Sequence, residues 1–447
     1  MQHSNWKTRS MVFFVATWMA GISVWVGCDR EPTKLPDRIG KVVGGSMAPH
    51  FLGKHSLATC EACGFEFTSD WEQANQREFL VCPNCGARML RSSATSVSGE
   101  QLSIVPSKSP KRWDVVAFRL PTDTASPSSA KTQDAGIKRV VGLPGEEVQI
   151  RDGDVYVNDH LIRKTLAEQK RVRVHVYDSQ FQRKRDLHWE LPGLWSYDSG
   201  NGFHFRNDDK PSNSIQWMGF RNPKHYSHFE SPGDAPAASD FEDFYGYNQS
   251  LSRDLNPVSD LFLEFNLVLT FGTSFVWTFA ANGDDYQFEI DAENHEMRVV
   301  DSKRSTILAI PIDSLGGARN AGNPVTTIEF SSFDDQLQVW VEGQRCFECP
   351  LTLADSERLS VSERPAARVK MGARGKQLVV QRIRIWRDLY YLAPSGAADA
   401  PIPKWPSASG FLMLGDNAPI SIDSRHWDQP RIAESDVIGV VETSRKP

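Results

Sequence analysis

The chain is organised around one stretch, Gly136-Ile137-Lys138-Arg139-Val140-Val141-Gly142-Leu143-Pro144-Gly145-Glu146. The apolar, β-branched residues after Lys138 predict a buried strand, which a Leu-Pro-Gly turn ends. Lysine is among the residues least often buried, so one that leads into a buried strand requires a reason. One reason is catalytic, because desolvation lowers the amine pKa and leaves a neutral base. The alternative is a strand-end lysine whose amine reaches solvent.

A candidate nucleophile lies upstream, in Val43-Gly44-Gly45-Ser46-Met47-Ala48-Pro49. The two glycines allow a tight turn and a close approach to substrate, and Pro49 restricts the chain after it. We therefore expect Ser46 on an exposed loop, with its own backbone N–H available to bind an oxyanion. Taken alone, Gly-Gly-Ser supports no more than a polar turn.

Together these stretches resemble type I signal peptidases, the membrane-bound Ser/Lys proteases that remove secretory signal peptides. Four segments follow one another in the family's order, and two insertions separate them. Three of them are residues 46–49, 112–118 and 138–145. The last segment comprises Gly415, Asp416, Asn417, Ser421, Asp423, Ser424 and Arg425.

The resemblance implies that Ser46 is the nucleophile and Lys138 the general base, with no cofactor for catalysis. It also implies a supporting set in which a hydroxyl orients the lysine, an ion pair stabilises the site and a turn shapes it. By this resemblance Ser421 orients Lys138, and Asp423 and Arg425 form the ion pair. Gly415, Asp416 and Asn417 shape the turn.

By the same resemblance, Met47 and Pro49 bind substrate, and small side chains at the first and third positions before the cut enter shallow apolar pockets. Some family members use a serine hydroxyl two residues before the nucleophile as a second oxyanion donor. Gly44 occupies that position here. The identity of a second donor therefore stays open.

Residues 10–28 contain no charged residue and are long enough to span a bilayer. Lys7 and Arg9 precede them, so we expect a single-pass protein of the cytoplasmic (inner) membrane, with its N-terminus in the cytoplasm and its catalytic domain outside. A cleaved signal peptide would end in small residues, which Trp25-Val26-Gly27 does not match. A lipoprotein acylated at Cys28 is a further alternative, although Trp25 stands where such proteins usually have leucine.

The first insertion carries two Cys-x-x-Cys-Gly knuckles, formed by Cys60, Cys63, Cys82 and Cys85. This spacing predicts a zinc ribbon, in which each knuckle supplies two of four tetrahedral ligands. Four thiolates leave no open position for water, so the zinc would be structural. Two disulfides are the alternative, because an extracytoplasmic compartment permits them.

The second insertion shows short alternating strands with turn signals, as in Leu261, Leu263, Phe265, Leu267 and Leu269. The pattern indicates an antiparallel β-sandwich, and it resembles a concanavalin/laminin-G jelly roll. We consider a carbohydrate or a protein as its ligand. Cys346 and Cys349 are expected as a local disulfide or as two free thiols.

The predicted fold class is mainly β: a signal-peptidase-type coiled β-sheet core, one N-terminal transmembrane helix, a small zinc ribbon and an inserted sandwich. The predicted parts are the cytoplasmic N-terminus at 1–9, the anchor at 10–28, the core at 29–53, 91–160 and 410–447, the ribbon at 54–90, the sandwich at 161–393 and a linker at 394–409.

The expected function is a membrane-bound serine endopeptidase whose partners are preprotein signal peptides and the lipid bilayer. The net charge of −6 provides no basic surface for nucleic acid. The alternative is a membrane-anchored binding protein, whose sandwich binds carbohydrate or protein on an inactive protease core. The presence of both Ser46 and Lys138 argues against this alternative.

Overall fold

The computed structural model describes residues 38–71, 78–107, 109–120, 135–183, 188–207, 212–223, 238–239, 241–249, 251, 253–281, 284–301, 306–312, 325–351, 369–393 and 404–442. The predicted anchor at residues 10–28, with Cys28, lies outside these ranges. Within them, no helix has the length and apolar character needed to cross a membrane. The described chain is mainly β, as the alternating sequence pattern predicts.

The first part of the chain forms short strands and one α-helix. In chain order the elements are β1 Arg38–Lys41, β2 His55–Thr59, β3 Glu66–Asp70, β4 Phe79–Val81, β5 Arg88–Leu90, β6 Thr95–Val97, β7 Gln101–Val105, β8 Val115–Arg119, β9 Ala135–Gly142, β10 Val148–Arg151, β11 Asp154–Val157, β12 His160–Leu161 and the helix α1 Leu166–Val172.

Longer strands follow the helix. They are β13 Val174–Asp178, β14 Trp195–Asp198, β15 Gly202–Arg206, β16 Ser212–Gly219, β17 Asn222–Pro223, β18 Ala238–Ser239, β19 Leu261–Leu269, β20 Thr273–Ala281, β21 Asp284–Asp291, β22 Glu296–Val300, β23 Thr306–Pro311, β24 Thr326–Ser331, β25 Gln336–Val341, β26 Gln344–Pro350, β27 Val369–Gly375, β28 Gln377–Arg387, β29 Phe411–Leu414, β30 Arg431–Ile432 and β31 Val437–Glu442.

One antiparallel sheet combines strands from both ends of the described chain, in the order β1-β7-β31-β8-β9-β29-β30. Strand β9 carries the organising stretch and pairs with β8, where Val116 lies opposite Lys138. On its other side β9 pairs with β29, where Leu414 lies opposite Arg139. Successive side chains on a strand point to opposite faces, so Lys138 and Arg139 point away from each other.

Two further antiparallel sheets, of eight and six strands, enclose the largest apolar core of the described residues. The eight-stranded sheet centres on β28 and β19, and the six-stranded sheet centres on β20 and β21. Phe265, Trp277, Phe288 and Phe330 are fully buried between them. Alternating residues therefore face one shared core, which is the arrangement of a β-sandwich.

A second apolar cluster joins the sandwich to the part of the chain that precedes it. Trp113 and Val148 pack there with Phe262 and Trp340 of the eight-stranded sheet. Helix α1 contributes Val172 to the same cluster. Val141 of β9 and Leu414 of β29 belong to the same cluster, so the insertion packs directly against the sheet that carries Lys138.

A buried cluster of charges reinforces this junction. The carboxylates of Asp154, Asp260, Asp334 and Asp388 have oxygens within 4.8 Å of one another. The Lys164 ammonium forms salt bridges with Asp334 and with Asp388. Burial raises the pKa of Asp260 to about 8 and that of Asp388 to about 6, so part of the cluster is protonated near neutral pH.

The cluster predicts that Lys164→Met destabilises the fold. The substitution removes a cation whose side chain is 4% exposed and leaves its carboxylate partners without it. Loss of one member of a buried ion pair costs about 3–5 kcal/mol, so the free energy of unfolding in urea should fall by that order. A decrease below about 1 kcal/mol would contradict the assigned role of Lys164.

Candidate active site

The structure brings the two predicted catalytic side chains into contact. Lys138 on β9 and Ser46 on the loop after β1 are hydrogen-bonded, with Nζ and Oγ 2.7 Å apart. Lys138 is 6% exposed, and Ser46 is partly exposed. The same contact can form with the ammonium donating or with the neutral amine accepting the hydroxyl proton.

Desolvation dominates the electrostatics of Lys138. Burial lowers its pKa from 10.5 to about 8, whereas the nearby Asp423 carboxylate raises it and Arg425 lowers it further. A group with a pKa of about 8 is about one-tenth neutral at pH 7. The site therefore supplies a neutral amine beside a serine hydroxyl near physiological pH.

The predicted ion pair of Asp423 and Arg425 is present and buried. Arg425 Nε donates to one Asp423 oxygen at 2.8 Å, and Nη2 donates to the other at 2.7 Å. The Gly415 N–H also donates to this carboxylate at 2.9 Å. Burial alone would raise the pKa of Asp423, but these donors hold it well below its usual range.

A second buried ion pair joins Asp416, which the sequence analysis expected only as a turn residue, to Arg139, to which it assigned no role. Arg139 donates two hydrogen bonds to the Asp416 carboxylate, at 2.7 and 2.5 Å. His50 Nδ1 lies 2.8 Å from the same carboxylate. Burial alone would raise the pKa of Asp416, but Arg139 and His50 hold this pKa well below its usual range. In the sequence, the only indication of this ion pair is Arg139 itself, a charged residue inside the apolar stretch that follows Lys138.

Asn417 connects the last box to the nucleophile loop. Its backbone N–H donates to the Ser46 carbonyl at 3.0 Å. Its side-chain amide donates to the Gly45 carbonyl at 2.9 Å. One asparagine therefore holds the carbonyls of both Gly45 and Ser46.

The hydrogen bond expected between Ser421 and Lys138 is not formed. The Ser421 hydroxyl is buried and has no hydrogen-bond partner among the residues that the structure describes. It lies instead against Gly415, where an added Cβ would come within 2.1 Å of its oxygen and 2.6 Å of the Ser46 carbonyl. Close packing at Gly415, rather than a hydrogen bond, is what Ser421 contributes in this structure.

The two predicted substrate-binding residues lie in different environments. Met47 is fully buried and packs in an apolar cluster with Val42 and Phe51. Pro49 is partly exposed. At Gly44, an added Cβ would meet no atom within 4 Å. Contact of Met47 and Pro49 with substrate stays a prediction.

The four cysteines of the ribbon converge with unbonded sulfurs. The Sγ atoms of Cys60 and Cys85 are 3.7 Å apart, as are those of Cys63 and Cys82. Tetrahedral coordination with bonds of about 2.3 Å places sulfurs about 3.8 Å apart. Disulfide sulfurs would be about 2.05 Å apart. The donor set and its spacing fit a structural zinc ion.

The backbone around the cysteines is also arranged for a metal site. Gly64 and Gly86 adopt positive φ values of 79° and 68°. Their N–H groups donate to the carbonyls of Cys60 and Cys82. These turns bring each cysteine pair to one side of the cluster. In the second insertion, Cys346 and Cys349 are free thiols.

A serine hydroxyl in contact with a desolvated lysine is the arrangement that a Ser/Lys hydrolase requires. Comparison with known proteins leads to a more specific class. The family model described as signal peptidase, peptidase S26 matches residues 75–193. This match contains Lys138, whereas Ser46 lies before it and Ser421 lies after it.

Curated relatives are similar to this chain over short segments. Probable signal peptidase I-2 of Synechocystis sp. is 42% identical over 55 residues, which are 12% of this chain and 24% of the relative. Signal peptidase I of Leptolyngbya laminosa is 43% identical over 59 residues, 13% of this chain and 29% of the relative. The chain thus spans about a quarter of their length. The resemblance to type I signal peptidases is confirmed.

Two solved structures are similar over longer segments at low identity. The carbohydrate-binding module CBM66 of Bacillus subtilis is 8% identical, with a TM-score of 0.24, and the alignment covers 45% of this chain and 92% of that module. The CBM2 module of an evolved Dit protein of Lactobacillus casei BL23 phage J-1 is 11% identical, with a TM-score of 0.32, covering 49% and 99%. Likeness at this level assigns no ligand to the chain.

The ribbon geometry predicts one zinc ion per chain in the purified protein, measured by metal analysis beside a thiol count. Replacing Cys60 and Cys63 by serine should abolish zinc binding, because two of the four ligands are lost. Replacing Cys346 and Cys349 by serine is the matched control and should leave the zinc content unchanged. A disulfide between any two of the four ribbon cysteines in the native protein would contradict this assignment.

Proposed function

We propose that the chain is a membrane-bound serine endopeptidase that removes signal peptides from secreted preproteins, with Ser46 as nucleophile and Lys138 as general base. The observation that carries this proposal is the 2.7 Å contact between Ser46 Oγ and the buried Lys138 Nζ. The match to the signal peptidase family supports the same reaction class.

The first step forms an acyl-enzyme. Ser46 Oγ attacks the carbonyl carbon at the cleavage site while the neutral Lys138 amine accepts the hydroxyl proton. The Ser46 backbone N–H would donate to the resulting oxyanion. Collapse of the tetrahedral intermediate breaks the peptide bond, and Lys138 returns the proton to the leaving amine.

The second step releases the signal peptide, which is the acyl group held on Ser46. A water molecule attacks the ester carbon, and Lys138, neutral again, accepts its proton. The tetrahedral intermediate then expels Ser46 Oγ, which takes the proton back. Burial thus performs the pKa adjustment that a His–Asp pair performs in other serine hydrolases. No metal ion or organic cofactor takes part in these steps.

The second set of residues supports the dyad without contacting the reacting atoms. We assign Asp423 and Arg425 to maintaining a neutral charge balance near Lys138, because each cancels the other's effect on the amine. Gly415, Asp416 and Asn417 hold the turn against the Ser46 loop. Ser421 fills the space beside Gly415.

The proposed membrane location rests on the sequence that precedes Ser46. The uncharged residues 10–28 would anchor the chain in the cytoplasmic membrane, with the N-terminus inside and the catalytic part outside. The short link from there to β1 would keep Ser46 close to the lipid surface. A signal peptide that itself lies in the bilayer would then present its cleavage site to the dyad. The ribbon at 54–90 and the sandwich at 161–393 would be insertions in this catalytic part.

The dyad predicts that Ser46→Ala and Lys138→Ala each reduce preprotein cleavage in detergent by at least about 10³-fold, because one removes the nucleophile and the other its base. Cleavage is measured by the appearance of the mature product. Ser96→Ala and Lys370→Ala are matched controls at exposed positions and should cleave at the wild-type rate.

Near wild-type cleavage by Lys138→Ala would rule out Lys138 as the base. Absence of cleavage by the wild-type chain, tested with several preproteins, would favour a binding protein on an inactive protease core instead.

A further inference from the structure

A short segment of the second insertion reaches the catalytic loop. Residues 241–249, named here the strap, precede the sandwich strand β19 and belong to none of the four segments that resemble signal peptidases. The strap contacts both the loop of Ser46 and the turn of residues 415–417. Its side chains there are almost completely buried, with Tyr245 at 3%, Tyr247 at 4% and Asn248 at 5% exposure.

Asn248 makes the most direct connection. Its side-chain amide donates to the Asn417 side-chain oxygen at 2.6 Å, and Asn417 donates back to Asn248 at 2.9 Å. This reciprocal pair fixes the orientation of the Asn417 amide, whose Nδ2 also donates to the Gly45 carbonyl at 2.9 Å. Asn248 is therefore one hydrogen-bonded residue away from the peptide that precedes Ser46.

Tyr247 covers the nucleophile loop from the same side. A Cβ added at Gly45 would lie 2.6 Å from a Tyr247 ring carbon and 2.9 Å from its hydroxyl oxygen. The ring also packs with Ala48 and Leu52. The second glycine of the Gly-Gly-Ser loop thus allows the loop and the strap to approach closely.

Tyr245 holds the turn of the last box. Its hydroxyl donates to the Asp416 carbonyl at 2.9 Å. The Asp416 carboxylate accepts a hydrogen bond from Arg139, which lies on the same strand as Lys138. The strap therefore contacts two segments beside Ser46 and Lys138. Tyr247 contacts the Ser46 loop, and Tyr245 and Asn248 contact the 415–417 turn.

The strap is itself anchored at both ends. At its start, the fully buried Asp243 accepts hydrogen bonds from Arg253 and from the side chain of Asn256. At its end, the Gln249 side chain exchanges two hydrogen bonds of 3.0 Å with the backbone of Val81 in the ribbon. Arg387 of the sandwich strand β28 also donates to the Phe244 carbonyl at 2.8 Å, so the strap is held to the sandwich and to the ribbon while its middle contacts the Ser46 loop.

We propose that the strap positions Ser46 against Lys138, with Asn248, Tyr245 and Tyr247 as positioning residues of the peptidase reaction. The proposal rests on the function assigned above to Ser46 and Lys138. A loop that contains two adjacent glycines has little intrinsic rigidity, so external contacts must hold it. A displacement of about 1 Å in a catalytic group can lower a rate by about 10²-fold.

The first test compares Asn248→Ala with the matched control Asn266→Ala. Asn266 lies on β19, outside the strap, and its side-chain amide donates to the Thr327 hydroxyl at 3.1 Å. The substrate is a synthetic signal peptide with alanine at the first and third positions before the cut. Asn248→Ala should lower kcat by about 10- to 100-fold with KM within about threefold, whereas Asn266→Ala should retain the wild-type kcat.

The same variants give a readout that a purely structural role would not move. Loosening the strap should admit water to Lys138 and raise its pKa, so the ascending acidic limb of the kcat profile should shift from about pH 8 to higher pH in Asn248→Ala only. Activity losses that merely follow the unfolded fraction, with an unchanged pH profile, would overturn the proposal.

A second pair of variants changes a single hydroxyl, so that folding is preserved. Tyr245→Phe removes the hydrogen bond to the Asp416 carbonyl and should lower kcat about threefold to tenfold. Tyr391→Phe is the matched control, because this equally buried hydroxyl has no hydrogen-bond partner in the part of the chain that the structure describes. Equal kcat values for the two variants would contradict the proposal.

A measurement without substrate separates the strap from the proposed reaction. Amide hydrogen exchange, followed by mass spectrometry, should accelerate in the peptide that covers residues 43–53 of Asn248→Ala and remain as in the wild type in Asn266→Ala. If the wild-type chain cleaved no preprotein, faster exchange would still support the strap as the support of this loop. Unchanged exchange would overturn the strap proposal even if the peptidase assignment held.

Discussion

The proposed chemistry depends on the burial of one amine, that of Lys138. Lys138 has 6% of its surface exposed, and burial is the largest influence on its pKa, which falls to about 8. Two neighbouring ion pairs, Arg139 with Asp416 and Arg425 with Asp423, are buried with it. Because Arg139 and Arg425 neutralise them, the Asp416 and Asp423 carboxylates raise the pKa of Lys138 too little to offset its burial. The serine hydroxyl 2.7 Å away then has a base beside it.

This burial is produced by parts of the chain that are distant in sequence. Strand β9 supplies Lys138, the loop after β1 supplies Ser46, and the turn after β29 supplies the two carboxylates. The second insertion adds the strap, which contacts the Ser46 loop and the 415–417 turn, and it shares an apolar cluster with Trp113 and Val148. The second insertion therefore packs against the elements that carry Ser46 and Lys138.

The sequence predicted the features that local chemistry encodes. The β-branched run after Lys138 became β9, the alternating leucines and phenylalanine from Leu261 became β19, and the two cysteine knuckles converged. Long-range partners could not be predicted in this way, because nothing in the local pattern around Asn248 or His50 indicates Asn417 or Asp416. The expected Ser421 hydrogen bond failed for the same reason: the packing at Gly415 decides where that hydroxyl lies.

The most direct test of this account is the pH dependence of kcat/KM for signal-peptide cleavage. If a desolvated Lys138 is the base, only its neutral form is active, so kcat/KM should rise tenfold per pH unit below about 8 and become constant above it. Exposing the amine to water should shift this rise of kcat/KM to higher pH, towards the ordinary lysine pKa of about 10.4. A wild-type profile that is flat from pH 6 to 9, or that begins its plateau above pH 10, would contradict the claim that a buried neutral amine drives the reaction.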